Sequence, residues 1–250
     1  MTTAIINQKG GVGKSTTAAA IAAALRLKGK TTLLIDLDAQ RNLTYTAAAK
    51  ESPAILETLT EGADIRQAIQ EGPQGAIIAG CKALSGADAY LTQTGKEYRL
   101  KEALKGLEND YDEIIIDTPP ALGILTVNAL TAADRAIIPA QADVFSLQGI
   151  AQLKDTIAAV QKYCNPALYV AGILLTRYNG RATLSRKIDE MTQSIAETLH
   201  TKVFSAKIRE NVSVREAQLL QKDIFSYAPK SKAAADYMAF IEELEGEQRQ

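Results

Sequence analysis

The chain has few of the residues that build disulfide, redox and histidine-based metal sites. Of its 250 residues none is tryptophan, one is histidine and two are cysteine. Cys81 and Cys164 stand alone, without C-x-x-C spacing, so we expect no disulfide framework and a reducing cytoplasm as the compartment. The single histidine, His200, leaves almost no material for a histidine-based metal site. Extracellular disulfide scaffolds and zinc modules are therefore not expected.

Long apolar runs and an excess of charge of one sign are also missing. The longest apolar region, Ala18 to Leu27, is interrupted by Arg26 and is too short to span a bilayer. The net charge of −1 gives no global attraction to nucleic acid or to a membrane. Met1 is followed directly by strand-like residues, so no signal peptide is expected. These features predict a soluble, cytoplasmic protein.

The chain alternates β-rich runs with helical patterns. The β-rich runs are apolar on both faces, which is typical of a parallel sheet covered by helices. Strands are predicted at Ala4–Asn7, Thr32–Asp36, Ile114–Asp117, Ala136–Pro139, Val170–Thr176 and Val203–Ile208. Helices are predicted at Ser15–Leu27, Leu122–Ala132, Leu147–Tyr163, Leu184–Leu199 and Ala233–Leu244. Residues 37–112 are predicted to form helices and loops over the sheet edge. We therefore expect one α/β domain over residues 1–250, with a doubly wound, mostly parallel sheet flanked by helices.

The segment QKGGVGKST, residues 8–16, indicates a phosphate-binding loop. It lies between a predicted strand and a strong predicted helix, where backbone N–H groups and the helix N-terminus can surround phosphate oxygens. Lys14 would neutralise the β- and γ-phosphates, and the Ser15 hydroxyl would bind Mg²⁺. The usual loop begins with a glycine where this chain has Gln8, and it has no counterpart of Lys9.

Two further predicted strands end in carboxylates. YDEIIIDTPP delivers Asp117, a candidate to hold hydrated Mg²⁺. LLIDLDAQRNLT delivers Asp36 and Asp38 at the edge of the sheet where α/β proteins bind ligands. One of these two can bind the water shell of the metal while the other orients the attacking water.

Together the motifs KGGVGKST, DLDAQRNLT and YDEIIIDTPPALGILTVNAL resemble the ParA-type partition ATPases, which have the deviant Walker A form of the P-loop. The similarity continues in order through ADRAIIPAQADVFSLQGIAQL, GILLTRYNGRATLS, KIRENVSVREAQ and YAPKSKAAADY, so it covers nearly the whole chain. It implies the P-loop NTPase fold, with ATP and Mg²⁺ as cofactors, and ATP hydrolysis that a partner stimulates. We expect hydrolysis without the partner to be slow, because no built-in arginine finger is evident.

The resemblance also assigns residue roles. It implies catalytic roles for Lys9, Lys14 and Asp38, with Lys9 reaching the ATP of the partner subunit. The implied ATP-binding residues are Lys9, Gly10, Gly11, Val12, Gly13, Lys14, Ser15, Thr16, Asn179, Ile208 and Asn211, of which the last three contact adenine. The implied metal-binding residues are Ser15, Asp36 and Asp117.

In this family two ATP molecules lie between two subunits, so the resemblance implies a homodimer with ATP that hydrolysis dissociates. The dimer binds DNA without sequence specificity, associates with the nucleoid and is stimulated by a ParB-type centromere-binding protein. Residues 177–232 hold 11 Lys/Arg against 6 Asp/Glu and offer a basic surface. The DNA-binding candidates are Arg181, Arg186, Lys187, Arg215, Lys222, Lys230 and Lys232.

The sequence departs from the family pattern at three points. Ala39 and Arg41 replace the proline and glycine of D-x-D-P-Q-G-N, which predicts a more flexible first switch. Arg209 and Glu210 replace the proline and arginine of the I-P-R-N segment that contacts adenine in this family. Which side chains contact the base here is therefore left open. No extension precedes the first strand, so an N-terminal operator-binding module is not expected.

Three other functions stay open. A MinD-like positioning ATPase would act on a membrane, but the end FIEELEGEQRQ is acidic and would be repelled by anionic lipid. A nitrogenase-reductase-like iron–sulfur protein could use four cysteines in a dimer, but such proteins place a cysteine just after the metal-binding aspartate, where this chain has Thr118. A nucleotide-bound scaffold without turnover is disfavoured by Asp38 and Asp117.

Overall fold

The computed structural model describes residues 1–179 and 185–246, without the side chains of residues 144–148, 151, 185 and 186. The strands are β1 Thr2–Ile5, β2 Thr32–Asp36, β3 Ile69–Gly72, β4 Gly75–Ile78, β5 Glu113–Asp117, β6 Arg135–Gln141 and β7 Tyr169–Thr176. The helices are α1 Lys14–Leu27, α2 Asn42–Thr46, α3 Ala54–Glu61, α4 Ala87–Tyr90, α5 Arg99–Ala103, α6 Ile124–Ala132, α7 Val144–Tyr163, α8 Ser185–Thr198, α9 Val212–Leu219, α10 Ile224–Tyr227 and α11 Lys232–Gly246.

The strands form one sheet in the order β3-β4-β2-β5-β1-β6-β7. Every pairing is parallel except that of β3 with β4. Crossover helices join the parallel strands, and chain order reverses at β1, which lies between β5 and β6. The predicted fold class, a doubly wound and mostly parallel α/β sheet, is confirmed.

Alternating side chains of each strand enter two separate cores. On β5, Ile114 and Ile116 belong to the layer formed with α3 and α5 to α8, whereas Ile115 belongs to the layer formed with α1, α9, α10 and α11. Both sides of the strand are therefore apolar, as the sequence pattern predicted. Cys81 is buried in the first layer and Cys164 packs against it, both as free thiols. In the described ranges, no helix has the length and hydropathy to cross a membrane.

Alanine lets helix α1 approach the sheet closely. Residues 18–25, which are alanine except for Ile21 and Leu25, are almost completely buried. Small side chains allow close helix–sheet contact without loss of packing density, and alanine has the highest helix propensity. The first turn of α1 is thereby fixed at the carboxyl end of β1.

The predicted strand at Val203–Ile208 is wrong. Isolated bridges to β7 and the residues after it occur at Val203, with Ile173, and just beyond the segment at Arg209, with Tyr178. The N–H groups of Phe204 and Ile208 donate to β7 carbonyls, but no continuous ladder forms. The reason lies in Glu243 of α11, whose carboxylate accepts hydrogen bonds from the N–H groups of Ser205 and Ala206, both at 3.0 Å. Those amides are then not available for a β-ladder.

The prediction of helices and loops over residues 37–112 missed a hairpin. Strands β3 and β4 pair in antiparallel register from Ile69–Ile78 to Gly72–Gly75, and β4 extends the parallel sheet beside β2. Gly75 has φ of 88°, a left-handed conformation that suits glycine at the end of the tight turn. Both strands have four residues, too few to show a clear period in the sequence.

A buried ion pair lies at the other end of the sheet from the carboxylates. Arg135 and Glu113 are 1% and 2% exposed, and Arg135 Nη2 lies 3.4 Å from Glu113 Oε2. Arg135 Nε also donates to Thr3 Oγ1 at 2.9 Å. The pair joins β6, β1 and β5 across the middle of the sheet.

We expect Glu113→Ala to lower the free energy of unfolding by about 3 kcal/mol, because it leaves a buried guanidinium without its counter-ion. Urea unfolding measures this loss. The matched control is Asp110→Ala, which breaks the half-exposed pair of Asp110 with Arg66 and should cost less than about 1 kcal/mol. Equal losses for the two variants would contradict a structural role for the buried pair.

Candidate functional site

Three neighbouring strands bring the predicted site residues to one edge of the sheet. Strand β5 lies between β2 and β1, and its last residue, Asp117, is in register with Asp36 on one side and Ile5 on the other. Because the three strands are parallel, the loop after β1 lies beside these two carboxylates. Residues that are far apart in the sequence therefore form one site.

The loop between β1 and α1 has the form of a phosphate cradle. Gly11 and Gly13 have φ of 76° and 90°, so the chain turns through conformations that other residues avoid. The first intrahelical bond runs from Thr17 N–H to Gly13 O at 2.8 Å, which leaves the earlier amides of α1 directed out of the helix end. Gly13 supplies no side-chain cap. An anion is the natural partner of such a helix end.

Two strands outside the loop hold it in place. Gln141 Nε2 donates to Gly11 O at 3.0 Å, and Thr176 Oγ1 donates to Val12 O at 2.8 Å. Asn7 donates to Pro139 O at 2.7 Å and accepts from Lys9 N–H at 2.9 Å. The ends of β6 and β7 thus fix the shape of the loop.

The two lysines of the loop have different surroundings. Lys14 is 7% exposed, and its Nζ donates to Lys9 O at 3.3 Å. Burial lowers the pKa of Lys14, while the charges of Asp117 and Asp38 raise it. Lys9 is partly exposed and its Nζ contacts both oxygens of Asp143, at 2.8 and 2.9 Å. Lys14 therefore faces the carboxylates of the site, and Lys9 lies at its rim.

Asp117 is a fully buried carboxylate without a hydrogen bond to either oxygen from any residue that the structure describes. Burial raises its pKa well above the usual range, and the neighbouring Asp36 carboxylate raises it further. The Ser15 hydroxyl and the Lys14 ammonium lower it, although Ser15 does not reach hydrogen-bond geometry. An unpartnered buried carboxylate is costly unless a cation or a proton compensates it.

Asp36 is also buried, but its oxygens are occupied. Oδ2 accepts from Thr44 N–H at 2.8 Å and from Thr44 Oγ1 at 2.7 Å, and Oδ1 accepts from Asp38 N–H at 3.0 Å. Burial raises the pKa of Asp36 to about 6, and these hydrogen bonds act in the opposite direction. Asp38 is 8% exposed and accepts from Gln40 N–H at 2.9 Å. Asp36 thus holds the segment 38–44, while Asp38 lines the cleft.

A cleft of about 500 Å³ runs along the loop. It is lined by Gly10, Gly11, Gly13, Lys14, Ser15, Thr16, Asp38, Gln40, Asn42, Tyr45, Thr46, Pro120, Arg177 and Gln218. A second, more apolar pocket of about 110 Å³ adjoins it. It is lined by Val12, Gly13, Thr16, Thr176, Arg177, Ile208, Arg209, Glu210, Asn211, Val214, Arg215, Gln218 and Tyr237. We call these the phosphate cleft and the base pocket.

The residues predicted to contact a base divide between the pocket and its surroundings. Ile208 and Asn211 line the base pocket, whereas Asn179 is exposed and outside its lining. Asn211 caps α9 by accepting from Ser213 N–H at 2.9 Å. Arg209 lines the pocket too, but Asp236 binds its guanidinium, with Nε at 2.9 and 3.1 Å from the two carboxylate oxygens.

The predicted DNA-binding residues do not form one continuous group. Arg181 lies outside the described residues, and the side chain of Arg186 is not described. Lys187 is exposed on α8, in the layer opposite α1. Lys222, Lys230 and Lys232 are exposed on the α1 side of the sheet, next to α9, α10 and α11. Arg215 is exposed on α9 and lines the base pocket.

Sequence reasoning missed three site residues. Thr44 binds Asp36, Gln218 Nε2 donates to Thr16 Oγ1 at 2.8 Å, and Arg177 borders both the phosphate cleft and the base pocket. A left-handed φ of 47° marks Arg177 in the structure, but the sequence gives no sign of it. Only Thr44 had a signal, since it follows the second aspartate in the DLDAQRNLT motif.

A phosphate loop after the central strand of such a sheet defines a P-loop ATPase fold, and the comparisons agree. A family model described as an AAA domain matches residues 1–170. Sporulation initiation inhibitor protein Soj of Bacillus subtilis is 37% identical over 247 residues, which cover 96% of each chain. Chromosome partitioning protein ParA of Myxococcus xanthus is 38% identical over 246 residues, 96% of this chain and 86% of that relative. The chain belongs to the ParA/Soj family of partition ATPases.

Solved structures give the same fold. Cobyrinic acid a,c-diamide synthase from Mycobacterium smegmatis, solved with ADP and magnesium, is 34% identical with a TM-score of 0.84 and covers 100% of this chain and 95% of its own. The cell division ATPase MinD of Pyrococcus furiosus is 23% identical with a TM-score of 0.75, covering 98% of both chains, and shares the fold. The predicted family resemblance is confirmed.

We expect Asp117→Asn to raise the free energy of unfolding of the nucleotide-free protein by about 1 kcal/mol, because it replaces an unpartnered buried carboxylate with a neutral group. The same variant should lose any increase in nucleotide affinity that Mg²⁺ gives. Urea unfolding and nucleotide titration with and without Mg²⁺ measure the two effects. A less stable variant would show that the carboxylate is compensated in the free protein.

We expect Thr44→Val to lower the free energy of unfolding by about 2 kcal/mol. The Thr44 hydroxyl donates to Asp36 and accepts from Gly80 N–H at 2.9 Å, so its loss leaves the buried Gly80 N–H unpaired and removes one of the two hydrogen bonds to Asp36 Oδ2. Thr44→Ser keeps both bonds and should cost less than about 1 kcal/mol. Equal thermal and urea stability of the two variants would exclude the hydroxyl as the cause.

Proposed function

We propose that this chain is an ATP-dependent DNA segregation ATPase that dimerises around ATP, binds DNA without sequence specificity and is released when a ParB-type partner stimulates hydrolysis. The name of the Myxococcus xanthus relative, chromosome partitioning protein ParA, supports a role in DNA segregation. The observation that carries the proposal is the combination of Lys14, Asp38 and the unpartnered Asp117 beside a glycine cradle.

The residues present fit ATP and Mg²⁺. The cradle offers helix amides and Lys14 for phosphate, and a Cβ added at Gly10 or Gly11 would meet nothing within 4 Å. Asp117 and the adjacent Ser15 are oxygen ligands of the kind that Mg²⁺ prefers, and Asp117 has no competing protein partner in the described ranges. Bound Mg²⁺ would neutralise the charge that develops on the phosphates. Both oxygens of Asp36 already accept hydrogen bonds from Thr44 and Asp38, so Asp36 is better placed to hold Thr44 than to bind the metal.

The protein side of hydrolysis is positioning. Asp38 has a solvent-accessible edge in the phosphate cleft and can orient an attacking water, which is the main requirement of in-line phosphoryl transfer. Its backbone is fixed through Asp36 and Thr44. Slow turnover without a partner follows if the charge on the transferred phosphoryl group lacks a further cation in the free subunit.

Lys9 is available for a second subunit at low cost. Its pair with Asp143 is partly exposed, with side-chain exposures of 30% and 35%, and pairs of this kind contribute little to stability. If Lys9 exchanged Asp143 for a phosphate of the ATP bound by the other subunit, ATP would join the two subunits and so act as a dimerisation ligand. Hydrolysis then acts as a dissociation switch.

Dimerisation would join two weak basic surfaces into one. Lys222, Lys230 and Lys232 are exposed on the α1 side of the sheet. Two copies of this basic surface that bind the same DNA molecule hold it more tightly than either copy alone. Because the contacts are to phosphates, the affinity falls as the salt concentration rises. Lys187 belongs to the opposite layer, so its contribution would come from a separate surface.

A MinD-like action on a membrane is the second candidate, and the structure disfavours it. Membrane binding of that kind uses a helix with a free apolar face. The apolar side of α11, with Tyr237, Phe240, Ile241 and Leu244, is buried against α1 and the sheet. Co-sedimentation with anionic liposomes in the presence of ATP tests this alternative, and strong binding would favour it.

The proposal predicts binding to random-sequence DNA with ATP but not with ADP, and a loss of affinity of at least about tenfold between 50 and 200 mM salt.

Lys14→Ala should abolish nucleotide binding. Lys9→Ala should bind ATP as a monomer, and Asp38→Ala should bind ATP and dimerise without turnover. Gel shift, size-exclusion chromatography and phosphate release measure these properties.

Each variant isolates one step, so the failures are distinct. Normal dimerisation of Lys9→Ala would exclude its action on the second subunit. Turnover by Asp38→Ala at the unaltered rate would exclude Asp38 as the residue that orients water. DNA binding that ignores nucleotide would contradict the proposed switch even if ATP is hydrolysed.

A further inference from the structure

Arg177 follows β7 directly and has an unusual backbone conformation. Its φ of 47° lies in the left-handed region, which non-glycine residues adopt at an energetic cost. Its side chain is exposed, and it makes no hydrogen bond or ion pair with any residue in the ranges 1–179 and 185–246. Strained residues of this kind are concentrated at ligand-binding sites.

Arg177 also borders both spaces of the site. The phosphate cleft and the base pocket share four lining residues, Gly13, Thr16, Arg177 and Gln218. In a nucleoside triphosphate the ribose and the α-phosphate lie between the base and the β- and γ-phosphates. The residues common to the two spaces are therefore those nearest to the ribose and the α-phosphate.

Among the arginines that line the base pocket in the described part of the chain, only Arg177 combines this position with an available guanidinium. The Arg209 guanidinium is bound by Asp236. Arg215 lines only the base pocket and not the phosphate cleft. Lys14, by contrast, is buried beside Asp117 and Asp38 and lines the phosphate cleft but not the base pocket. The cationic groups of the site are thus spread along the length of a nucleotide.

We propose that Arg177 binds the α-phosphate of the nucleotide held by its own subunit. This inference rests on the proposed nucleotide site and adds a positioning residue to it. A guanidinium forms two charge-assisted hydrogen bonds to a phosphate, and it keeps its charge under all physiological conditions. Because ATP, ADP and AMP all carry the α-phosphate, Arg177 strengthens the binding of all three equally.

The consequence concerns the order of events in a turnover cycle. An arginine that acted on the transferred phosphoryl group would accelerate hydrolysis and leave ADP affinity unchanged. An anchor at the α-phosphate instead retains the nucleotide before and after hydrolysis. The Arg177 anchor therefore slows the release of ADP and leaves the chemical step unaffected.

The test uses Arg177→Asn and Arg177→Lys in the full chain. Asparagine tolerates the left-handed conformation, so the first variant removes the guanidinium without new backbone strain. Lysine keeps the charge and loses the two-pronged geometry. The matched control is Arg99→Asn, which removes the same charge from a separate pocket between α3 and α5. Circular dichroism and thermal unfolding confirm that each variant is folded.

Calorimetric titration with ATP, ADP, AMP and adenosine, each with Mg²⁺, gives the result. Arg177→Asn should weaken ATP, ADP and AMP by about tenfold each, Arg177→Lys by about threefold, and neither should change adenosine affinity. Stopped-flow release of a fluorescent ADP should be faster by a similar factor, with kcat changed less than twofold. Arg99→Asn should match the wild type.

Three results would overturn the inference. They are unchanged affinity for every nucleotide, a loss confined to ATP, and an equal loss for adenosine. AMP and ADP report on the single subunit, so they also exclude an action across a dimer. A folded wild-type chain that binds none of the nucleotides would overturn the proposed function and this inference together, whereas nucleotide binding that ignores Arg177 would overturn only the latter.

Discussion

The site depends on one electrostatic constraint, the adjacency of two buried carboxylates on neighbouring parallel strands. The register of β2 and β5 places Asp36 beside Asp117, and both are fully buried. Like charges in a low dielectric repel strongly, so each carboxylate favours the protonated form of the other. The protein satisfies Asp36 internally through Thr44, whereas the burial of Asp117 is offset among the described residues by the charge of Lys14 and the nearby Ser15 hydroxyl. This asymmetry commits one carboxylate to holding the segment 38–44 and leaves the other without a hydrogen-bond partner in the described part of the chain.

The parts of the site that are local in the sequence could be predicted from it. A glycine loop between strand and helix, and an aspartate at the end of an apolar run, need only neighbouring residues to be recognised. Gln218 and Arg177 could not be predicted in the same way, because their positions beside the loop arise from β7 and α9 meeting it in three dimensions. The segment 203–208 has strand-like residues, but Glu243, almost forty positions later, takes its amides. The hairpin of β3 and β4 was too short to show a period.

Helix α9 and the turn after it connect the two ends of the cleft. Gln218 reaches Thr16 in the loop, and Gln221 Nε2 donates to Tyr45 O at 2.9 Å, beside the segment that Asp36 holds. Gln74, from the turn between β3 and β4, donates to Gln221 O at 2.8 Å. A change at the phosphate loop can therefore reach the segment after β2 and the edge of the sheet through hydrogen bonds alone. Exposed Leu219 and Leu220 lie at the same turn.

The attachment of the phosphate loop to β6 and β7 has a consequence for affinity. Flexible loops lose conformational entropy when a ligand orders them, and this loss subtracts from the free energy of binding. Here Gln141 and Thr176 hold the loop carbonyls through side chains that the sheet has already fixed. The entropy of the loop is therefore lost during folding, before any ligand arrives. The loop is preorganised, so contacts with a phosphate contribute to affinity almost undiminished, and the stability of the sheet becomes a determinant of how tightly the protein binds.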